Sequence, residues 1–479
     1  MSSPTPPAAT QDPGSASIGL IISCSALVFI MIPGVGLFYS GLSRSKNALS
    51  LIMLSILSMA VVIVQWVLFG YSLAFSDSGS PFMGNFAMAG LANVGATPIP
   101  VIAPAIPSIL FAVFQMQFAS ITVALIYGAV VERIRLIPAL VFAFLWTTLV
   151  YDPITYWSWA NHGWIRNLGC LTTAAPDHTP CGVGSLDFAG GGPVHVASGF
   201  AGLAYCLVVG NRRYININSK GSEFLPHNIT NVFIGTALLW FGWFGFNGGS
   251  AMAATPRAAM AVAVTLFAAA AGALSWTLVD YINTKKLSGV AFCTGAISGL
   301  VCITPAAGFV APWASLVIGL SAGIGCYYAT RIKGIFAFDD SLDAWGVHGV
   351  GGMLGSILTG VFAQKTIASL DGTSIDGGWI DGNWIQVGYQ TAGTLAIAAW
   401  SFIVSCIILY LMNIIPGLEL RPTPEEEDAG ADYTEMGETS HITETTRMMS
   451  MVIPSLSSDV GKDNTSSTPT LKMVATDSL

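Results

Sequence analysis

Two histidines, His195 and His348, are the residues whose type and placement most suggest chemistry, because each lies inside an apolar stretch of the sequence. An acid precedes each histidine, Asp187 by eight residues and Asp343 by five. A neutral imidazole offers one hydrogen-bond donor and one acceptor, so two facing histidines could share a proton and line a narrow path. Taken singly, either could instead be an ordinary buried histidine with satisfied hydrogen bonds.

The stretch from Asp187 to Gly199 carries the signals of a helix start. An acid at a helix N-terminus accepts hydrogen bonds from free N–H groups and interacts favourably with the helix dipole. Glycines 190 to 192 permit a tight turn, and Pro193 suits the first helical turn because its missing N–H costs little there. The sequence therefore favours a capping role for Asp187 over direct contact with a substrate.

The composition is that of a protein that crosses a membrane several times. Of 479 residues, 53% are hydrophobic and 9% are charged, with a mean hydropathy of +0.67, whereas soluble domains carry roughly 25% charged residues. The net charge of −8 lies entirely beyond Arg421, because the residues up to that point hold fifteen basic and fifteen acidic side chains. We therefore expect the lipid bilayer, and no nucleic acid, as a partner.

Eleven apolar segments are long enough to be membrane spans, which need about 20 residues each. They lie near residues 18–41, 48–75, 106–131, 136–156, 190–209, 229–248, 257–281, 289–304, 311–330, 344–363 and 386–415. Residues 1–17 contain no Lys or Arg, so they lack the basic region of a signal peptide. The expected domains are an extracellular N-terminus (1–17), a transmembrane domain (18–415) and an acidic cytoplasmic tail (416–479) whose distal part is disordered.

The basic residues predict the orientation of these spans, because short cytoplasmic loops are enriched in Lys and Arg. Fifteen of the eighteen basic residues fall on one side when the loops are alternated, and three (Arg166, Arg257 and Lys365) fall on the other. The N-terminus is then outside and the tail inside, as an odd number of spans requires.

The two histidines also suggest an internal repeat. His195 begins the fifth span and His348 lies in the tenth, so a second unit of five spans would be inserted upside down. We therefore predict an all-α integral membrane protein made of two inverted five-helix halves plus an eleventh helix, with the histidines near the midplane. The 52 glycines favour close helix packing in lipid.

The remaining candidates are cysteines and serines. Cys170 and Cys181 lie in the predicted outer loop, where a disulfide and two free thiols are both open interpretations. A metal site needs three or four ligands, whereas a bis-histidine haem needs two; nothing else resembles electron-transfer machinery, and we expect no metal and no cofactor. Ser450, Ser455, Ser457 and Ser458 are candidate phosphorylation sites for a cytoplasmic kinase, with a plain solvated tail as the alternative.

Several motifs make the sequence recognisable. FQMQFASIT (114–122), GAVVERIRL (128–136), DFAGG (187–191), GWFGFNGGSA (242–251) and DAWGVHGVGG (343–352) resemble those of the ammonium transporter, methylammonium permease and Rhesus protein family. The tail sequence ELRPTPEEEDAGADYTEMGE is similar to the fungal branch of that family. The resemblance implies a homotrimer in the plasma membrane with one pore per subunit, and a transporter rather than an enzyme.

The resemblance also implies roles for individual residues. Phe118, Trp159 and Ser250 would form an external recruitment site for ammonium, and Phe118 with Phe246 would form a stacked gate below it. His195 and His348 would be the pore pair, and Asp187 the supporting acid. A histidine at position 195 is typical of the high-affinity fungal type, which is also credited with nutrient sensing. Gly192 departs from the family, which usually has Thr or Ser there.

The mechanism that follows is the deprotonation of recruited ammonium or methylammonium, because stripping a cation of water in an apolar pore is very costly. Ammonia would pass the histidines while the proton returns along them, and whether net charge moves depends on the route of that proton. Because the histidine pair can act as a proton relay, we predict electrogenic uptake. Two alternatives remain at this point. The chain could be a sensor that transports little, or a channel for neutral ammonia or another gas.

Overall fold

The computed structural model describes residues 13–170, 184–213 and 225–439. The protein is helical apart from a small antiparallel pair of strands, β1 (Pro98–Ile99) and β2 (Ala103–Pro107). The long helices within these residues are α1 (Gly14–Leu42), α2 (Ser45–Phe75), α3 (Ser108–Val130), α4 (Leu136–Trp159), α5 (Gly191–Val209), α6 (Ile229–Gly249), α7 (Pro256–Thr284), α8 (Gly289–Ile303), α9 (Pro312–Phe336), α10 (Trp345–Phe362) and α11 (Ile385–Asn413).

Each of the eleven predicted segments coincides with one of these helices, although not all of them qualify as spans by length. In the described part of the chain, nine helices are long and apolar enough to cross a membrane alone. Helix α10 qualifies only together with Lys365–Asp371, from which it is bent by 99°, and α8 has only 15 residues. Helix α1 begins at Gly14, within the segment predicted as an N-terminal extension.

Several helices contain a wider, π-helical turn. Such turns occur in α2 (Trp66–Gly70) and α4 (Thr147–Tyr151), and they form the first turns of α5 (Gly191–Val196) and α10 (Trp345–Val350). π-helical turns are rare and are often found at functional sites. The last two contain His195 and His348, so both histidines lie in the π-helical turn that begins their helix.

Helices α5 and α10 run in opposite directions. Arg133 joins the end of one to the start of the other, because its Nε donates to the carbonyl of Gly210 (2.7 Å) and its Nη1 to Ser341 Oγ (2.6 Å). We call this side, which carries Arg133 and Arg212, the basic face, and the other end of the helices the opposite face. This antiparallel pair is what two inverted halves would produce, and the repeat itself stays a prediction.

Ion pairs hold the loops of the basic face together. Arg212 donates to both carboxylate oxygens of Asp339 (2.8 and 2.9 Å), and the buried Arg133 lies 3.4 Å from the same carboxylate. Burial of Asp339 opposes its ionisation, but the hydrogen bonds from Arg212 and the charges of Arg133 and Arg212 lower its pKa to about 2. The Asp339 carboxylate therefore stays charged at any physiological pH.

The proximal tail packs against this face. Two short helices, Pro424–Ala429 and Ala431–Thr434, follow α11. Asp432 accepts hydrogen bonds from the N–H groups of Leu49 and Ser50 at 3.0 and 2.8 Å, and Lys46 donates to the carbonyl of Glu427. The acidic tail thus satisfies free N–H groups at the start of α2. The distal tail, which was predicted to be disordered, lies from residue 440 onward outside the described residues.

The closest approach between the pore helices is made by glycines. A Cβ atom on Gly199 of α5 would lie 2.1 Å from the backbone nitrogen of Gly349 in α10 and 2.4 Å from its Cα. Backbone atoms cannot move aside as a flexible side chain can, so a methyl group at position 199 would force the two helices apart. Small residues at such crossings are how helices gain packing energy in lipid.

We predict that Gly199→Ala lowers the free energy of unfolding of the purified protein by about 1–3 kcal/mol, because the added methyl group displaces the backbone of α10. Thermal unfolding in detergent measures this loss. Gly19→Ala is the matched control, since no atom lies within 4 Å of the added Cβ. Equal melting temperatures for the two variants would contradict the close crossing.

Candidate functional site

His195 and His348 face each other at the centre of the protein. Their Nδ1 atoms are 3.3 Å apart and their rings are nearly parallel, with centroids separated by 5.4 Å and an interplanar angle of 25°. Both side chains are buried, and His195 Nε2 has no hydrogen-bond partner in the protein. At this distance one neutral imidazole donates from Nδ1 and the other accepts, so a pair separated by 153 residues shares one hydrogen bond.

The geometry does not suit a haem. Two axial histidines bind iron from opposite sides, so with bonds of the usual metal–nitrogen length their ligating atoms are about 4 Å apart. The two Nδ1 atoms are closer than this, and the rings stack instead of pointing at a common centre. No group of three metal-ligating side chains occurs among the described residues.

An aromatic stack leads to the histidine pair from the opposite face. The rings of Phe118 and Phe246 are fully buried and stacked, with centroids 4.0 Å apart at an angle of 26°. Phe246 also lies parallel to His195, at a centroid distance of 6.2 Å. The two residues expected to form a gate therefore contact each other, and they lie directly next to the first histidine of the pair.

The structure brings Trp159 and Ser250 to the same stack. The Trp159 ring meets Phe118 edge-on, with centroids 6.0 Å apart, and Ser250 Oγ donates to the Phe246 carbonyl at 2.8 Å. Trp159 Nε1 donates to the backbone carbonyl of Asp187 at 3.0 Å. The three residues expected to recruit a cation thus lie together at the opposite-face end of the stack, where Trp159 and Ser250 each donate to a backbone carbonyl.

Asp187 caps the helix that carries His195, as the sequence favoured. Its Oδ1 accepts hydrogen bonds from the N–H groups of Gly190 and Gly191 at 2.7 and 2.8 Å, and its Oδ2 accepts one from Gly192 at 2.7 Å. Three free N–H groups at the start of α5 are thereby satisfied by one carboxylate.

The departure at Gly192 has a local explanation. A Cβ atom there would lie 2.6 Å from Cδ1 of Ile397 and 3.2 Å from Oδ2 of Asp187. A hydroxyl-bearing side chain would therefore require Ile397 to move. The cap itself does not need a hydroxyl at position 192, because the backbone N–H already binds Asp187.

Asp340 caps α10 as Asp187 caps α5, whereas Asp343, the acid noted before His348 in the sequence, does not. Asp340 lies eight residues before His348, the same spacing as Asp187 before His195. It accepts the N–H groups of Ala344 and Trp345 at 3.0 and 2.8 Å. Asp343 instead forms an ion pair with Lys333 at 2.7 Å. The repeated spacing of eight was the signal in the sequence that identifies the second cap.

The two caps differ in their surroundings. Burial and the nearby charge of Asp343 raise the pKa of Asp340 to about 6, although Lys333 and the two N–H groups oppose this shift. Asp340 therefore titrates near neutral pH at the basic face.

The sequence did not identify two further features beside the histidine pair, namely the Trp243 ring and a cavity. Trp243 stacks against His195, with centroids 5.3 Å apart, and its Nε1 donates to Thr304 Oγ1 at 2.8 Å. A cavity on the basic-face side of the pair is lined by Trp243, Tyr39, Thr294 and His348 among others. The apolar sequence around these residues gives no sign that they meet.

Other candidates are only partly placed by the structure. Cys170 is disulfide-bonded, and its predicted partner Cys181 lies outside the described residues, so that pairing stays a prediction. The candidate phosphorylation sites Ser450, Ser455, Ser457 and Ser458 also lie outside the described residues.

We predict that Asp340→Ala destabilises the protein by about 1–3 kcal/mol, because two buried N–H groups of α10 lose their acceptor. Asp343→Ala is the control, since its partly exposed pair with Lys333 contributes only about 0–1 kcal/mol. Thermal unfolding of both purified variants is the measurement. A larger loss for Asp343→Ala than for Asp340→Ala would contradict the capping role.

Comparison with known proteins shows the family to which the chain belongs. Residues 19–441 match the model of the Ammonium Transporter Family. The ammonium transporter 1 of Schizosaccharomyces pombe is 48% identical over 89% of this chain and 82% of its own length, and the ammonium transporter MEP2 of Saccharomyces cerevisiae is 46% identical over 88% and 83%. The crystal structure of Candida albicans Mep2 is 46% identical, covers 86% of this chain and 87% of its own, and aligns with a TM-score of 0.79. The chain therefore belongs to the ammonium transporter family.

Proposed function

We propose that this protein takes up ammonium, and methylammonium, with high affinity across the plasma membrane through a pore gated by Phe118 and Phe246 and lined by His195 and His348. The observation that supports this most strongly is the continuous stack from the gate to the paired Nδ1 atoms, 3.3 Å apart. The names of the relatives, all ammonium transporters, agree with this substrate.

The cation is recruited at the outer end of the stack. An ammonium ion over the faces of Trp159 and Phe118 gains about 0.5–2 kcal/mol from the aromatic rings. The oxygen of Ser250 keeps acceptor capacity while its hydroxyl hydrogen is donated to Phe246, so it accepts a hydrogen bond from the cation. A neutral gas channel would have no use for such a site, which favours the cation.

Deprotonation occurs at the gate because the region below it is apolar. The two stacked phenylalanine rings leave the cation no polar partner between the outer site and His195. Carrying an unpaired charge through this region is very costly, whereas neutral ammonia passes at little cost. As the N–H bond of ammonium breaks, its proton passes to Nε2 of His195, which has no hydrogen-bond partner among the described residues, and His195 gives its Nδ1 proton to Nδ1 of His348. Because the proton moves in the same direction as the ammonia, transport carries net charge.

The assembly and orientation proposed for the chain follow from the sequence. Fifteen of eighteen basic residues lie on one side of the alternating loops, which favours an extracellular N-terminus and a cytoplasmic tail. Large apolar side chains such as Leu274, Leu278 and Trp313 are exposed on the helix surfaces, where lipid or neighbouring subunits of a homotrimer would cover them.

The docked tail supports a regulatory role, and it also favours ammonium sensing as a second function. The contacts of Asp432 with α2 and of Glu427 with the N–H group of Arg213 tie the tail to the basic face. Phosphorylation of the distal serines by a cytoplasmic kinase would add negative charge to a tail that is already acidic, and so change how it docks. A pure sensor would keep the tail contacts but transport little.

Growth of a yeast strain that lacks its own ammonium permeases separates these functions. We expect the full chain to restore growth on low ammonium, because the pore and its recruitment site belong to one subunit. A folded and surface-expressed protein that fails to restore growth would favour the pure sensor. A chain truncated after Asp432 tests the tail. If it grows and is regulated in the same way as the full chain, the tail beyond Asp432 has no regulatory role.

A current measurement tests the role of the histidine pair. In proteoliposomes given an ammonium pulse, we expect uptake with a transient inward current, because the proton follows the ammonia. His195→Glu should still transport, since a carboxyl group also exchanges protons, but with an altered pH dependence and altered selectivity. Uptake without current contradicts electrogenic transport, and an unaltered profile in the variant would make His195 a structural residue.

A further inference from the structure

Helix α4 and the turn that follows it contain a row of buried polar side chains that the histidine pair does not contact. Asp152, Thr155, Ser158 and Asn161 follow one another at every third position, and each is at least nine-tenths buried. Each also has one side-chain oxygen without a hydrogen-bond partner among the described residues. Residues three apart lie near one another on a helix surface, so the oxygens of Asp152, Thr155 and Ser158 follow one side of α4, with Asn161 in the turn at its opposite-face end.

Hydroxyl groups in apolar helices normally bond to the backbone of the preceding turn, and neighbouring residues of α4 do so. Thr147 and Thr148 donate to the carbonyls of Ala143 and Phe144 at 2.8 and 2.9 Å. The hydroxyls of Thr155 and Ser158 do not. A buried polar atom without a partner costs about 1–3 kcal/mol, which makes a bound water the physical explanation for each of these sites.

The outer end of the row reaches solvent. Asn161 Nδ2 donates to Oδ1 of Asp77 at 3.2 Å, and Asp77 is exposed at the end of α2. The inner end is Asp152, whose Oδ2 accepts from Gln65 Nε2 at 2.7 Å. The other oxygens of this pair, Asp152 Oδ1 and Gln65 Oε1, both lack a donor. Water can therefore enter at the Asn161 end. At the Asp152 end lie two oxygen acceptors without a hydrogen-bond donor.

Within the described part of the chain, no Lys, Arg or His forms an ion pair with Asp152. The sequence contains no Lys or Arg from residue 47 to 132 or from 136 to 165. Among the described residues, the titratable groups on the elements packed against this part of α4 are Tyr71, Tyr151, Tyr156 and His195, with Asp77 at the outer end. An unpaired buried carboxylate is strongly disfavoured, whereas a neutral carboxyl group supplies the donor that Gln65 Oε1 lacks.

We propose that Asp152 is a buried proton-binding site, reached from the opposite face by water bound along Asn161, Ser158 and Thr155. The proton resides on the Asp152 carboxyl group, which pairs with the amide of Gln65. The site is separate from the histidine pore, and the proposal does not rest on the transport mechanism.

Infrared spectroscopy of the full chain in lipid vesicles tests this site. We expect a carbonyl band of a protonated carboxyl group that is missing in Asp152→Asn and that shifts promptly when D₂O replaces H₂O. If Asp152→Asn does not fold, Asp152→Glu should move the band instead of removing it. An unchanged carboxyl region in the Asn variant, or a band that does not exchange, would overturn the proposal.

Two further variants test the water path. Thr155→Val combined with Ser158→Ala removes two polar positions of the row and should slow the exchange of the band by about tenfold. Thr147→Val is the matched control, because its hydroxyl already bonds to the backbone and lies outside the row. Equal exchange rates in the double variant and the control would overturn the path. Loss of the band when ammonium replaces sodium at constant pH would make this a cation site instead.

Discussion

The hydrogen bond between the Nδ1 atoms of His195 and His348 is the interaction on which the rest of the structure depends. It can form only if two helices from distant parts of the chain cross with their backbones almost in contact, which the glycines at 199 and 349 allow. It also requires both imidazoles to be buried without a charged partner. Each ring then satisfies one nitrogen of the other, and the remaining nitrogens are left for the pore.

Both helices must also begin abruptly next to the histidines, and this is where the acids act. Asp187 and Asp340 each lie eight residues before a histidine and accept the first free N–H groups of its helix. Because the first N–H groups of each helix have acceptors, the π-helical turns that carry the histidines are fixed at their N-terminal ends. An aspartate therefore caps each of the two helices that carry the histidines.

Much of this organisation could be predicted from the sequence, because hydrophobic segment length and rare polar residues are strong signals in lipid. The helix positions, the histidine pair and the capping role of Asp187 follow from such signals, whereas Phe118 and Phe246 were singled out only by the resemblance to the family. The second cap was missed because three acids, Asp339, Asp340 and Asp343, compete within five residues. Only their different partners, Arg212, the α10 backbone and Lys333, separate them.

Other features depend on packing between segments that are distant in sequence. The contact of Trp243 with Thr304 joins α6 to the end of α8, and neither residue stands out in its apolar surroundings. The π-helical turns of α2 and α4 leave no pattern that a 3.6-residue period would reveal. These features arise when helices fit together, so a sequence read one segment at a time does not contain them.

Asp187 and Asp340 cap their helices in the same way, but the charged groups around them differ. Asp187 is bound only by glycine N–H groups in the contacts described, so its end of the pore remains free of fixed cations in the capping site itself. Asp340 lies beside Asp343 and Lys333 at the basic face, where the acidic tail also docks. The tail also contacts α5, because Arg421 donates to the carbonyl of Val209 at 2.9 Å. A change in tail docking would therefore act on α5 at the end opposite to its Asp187 cap.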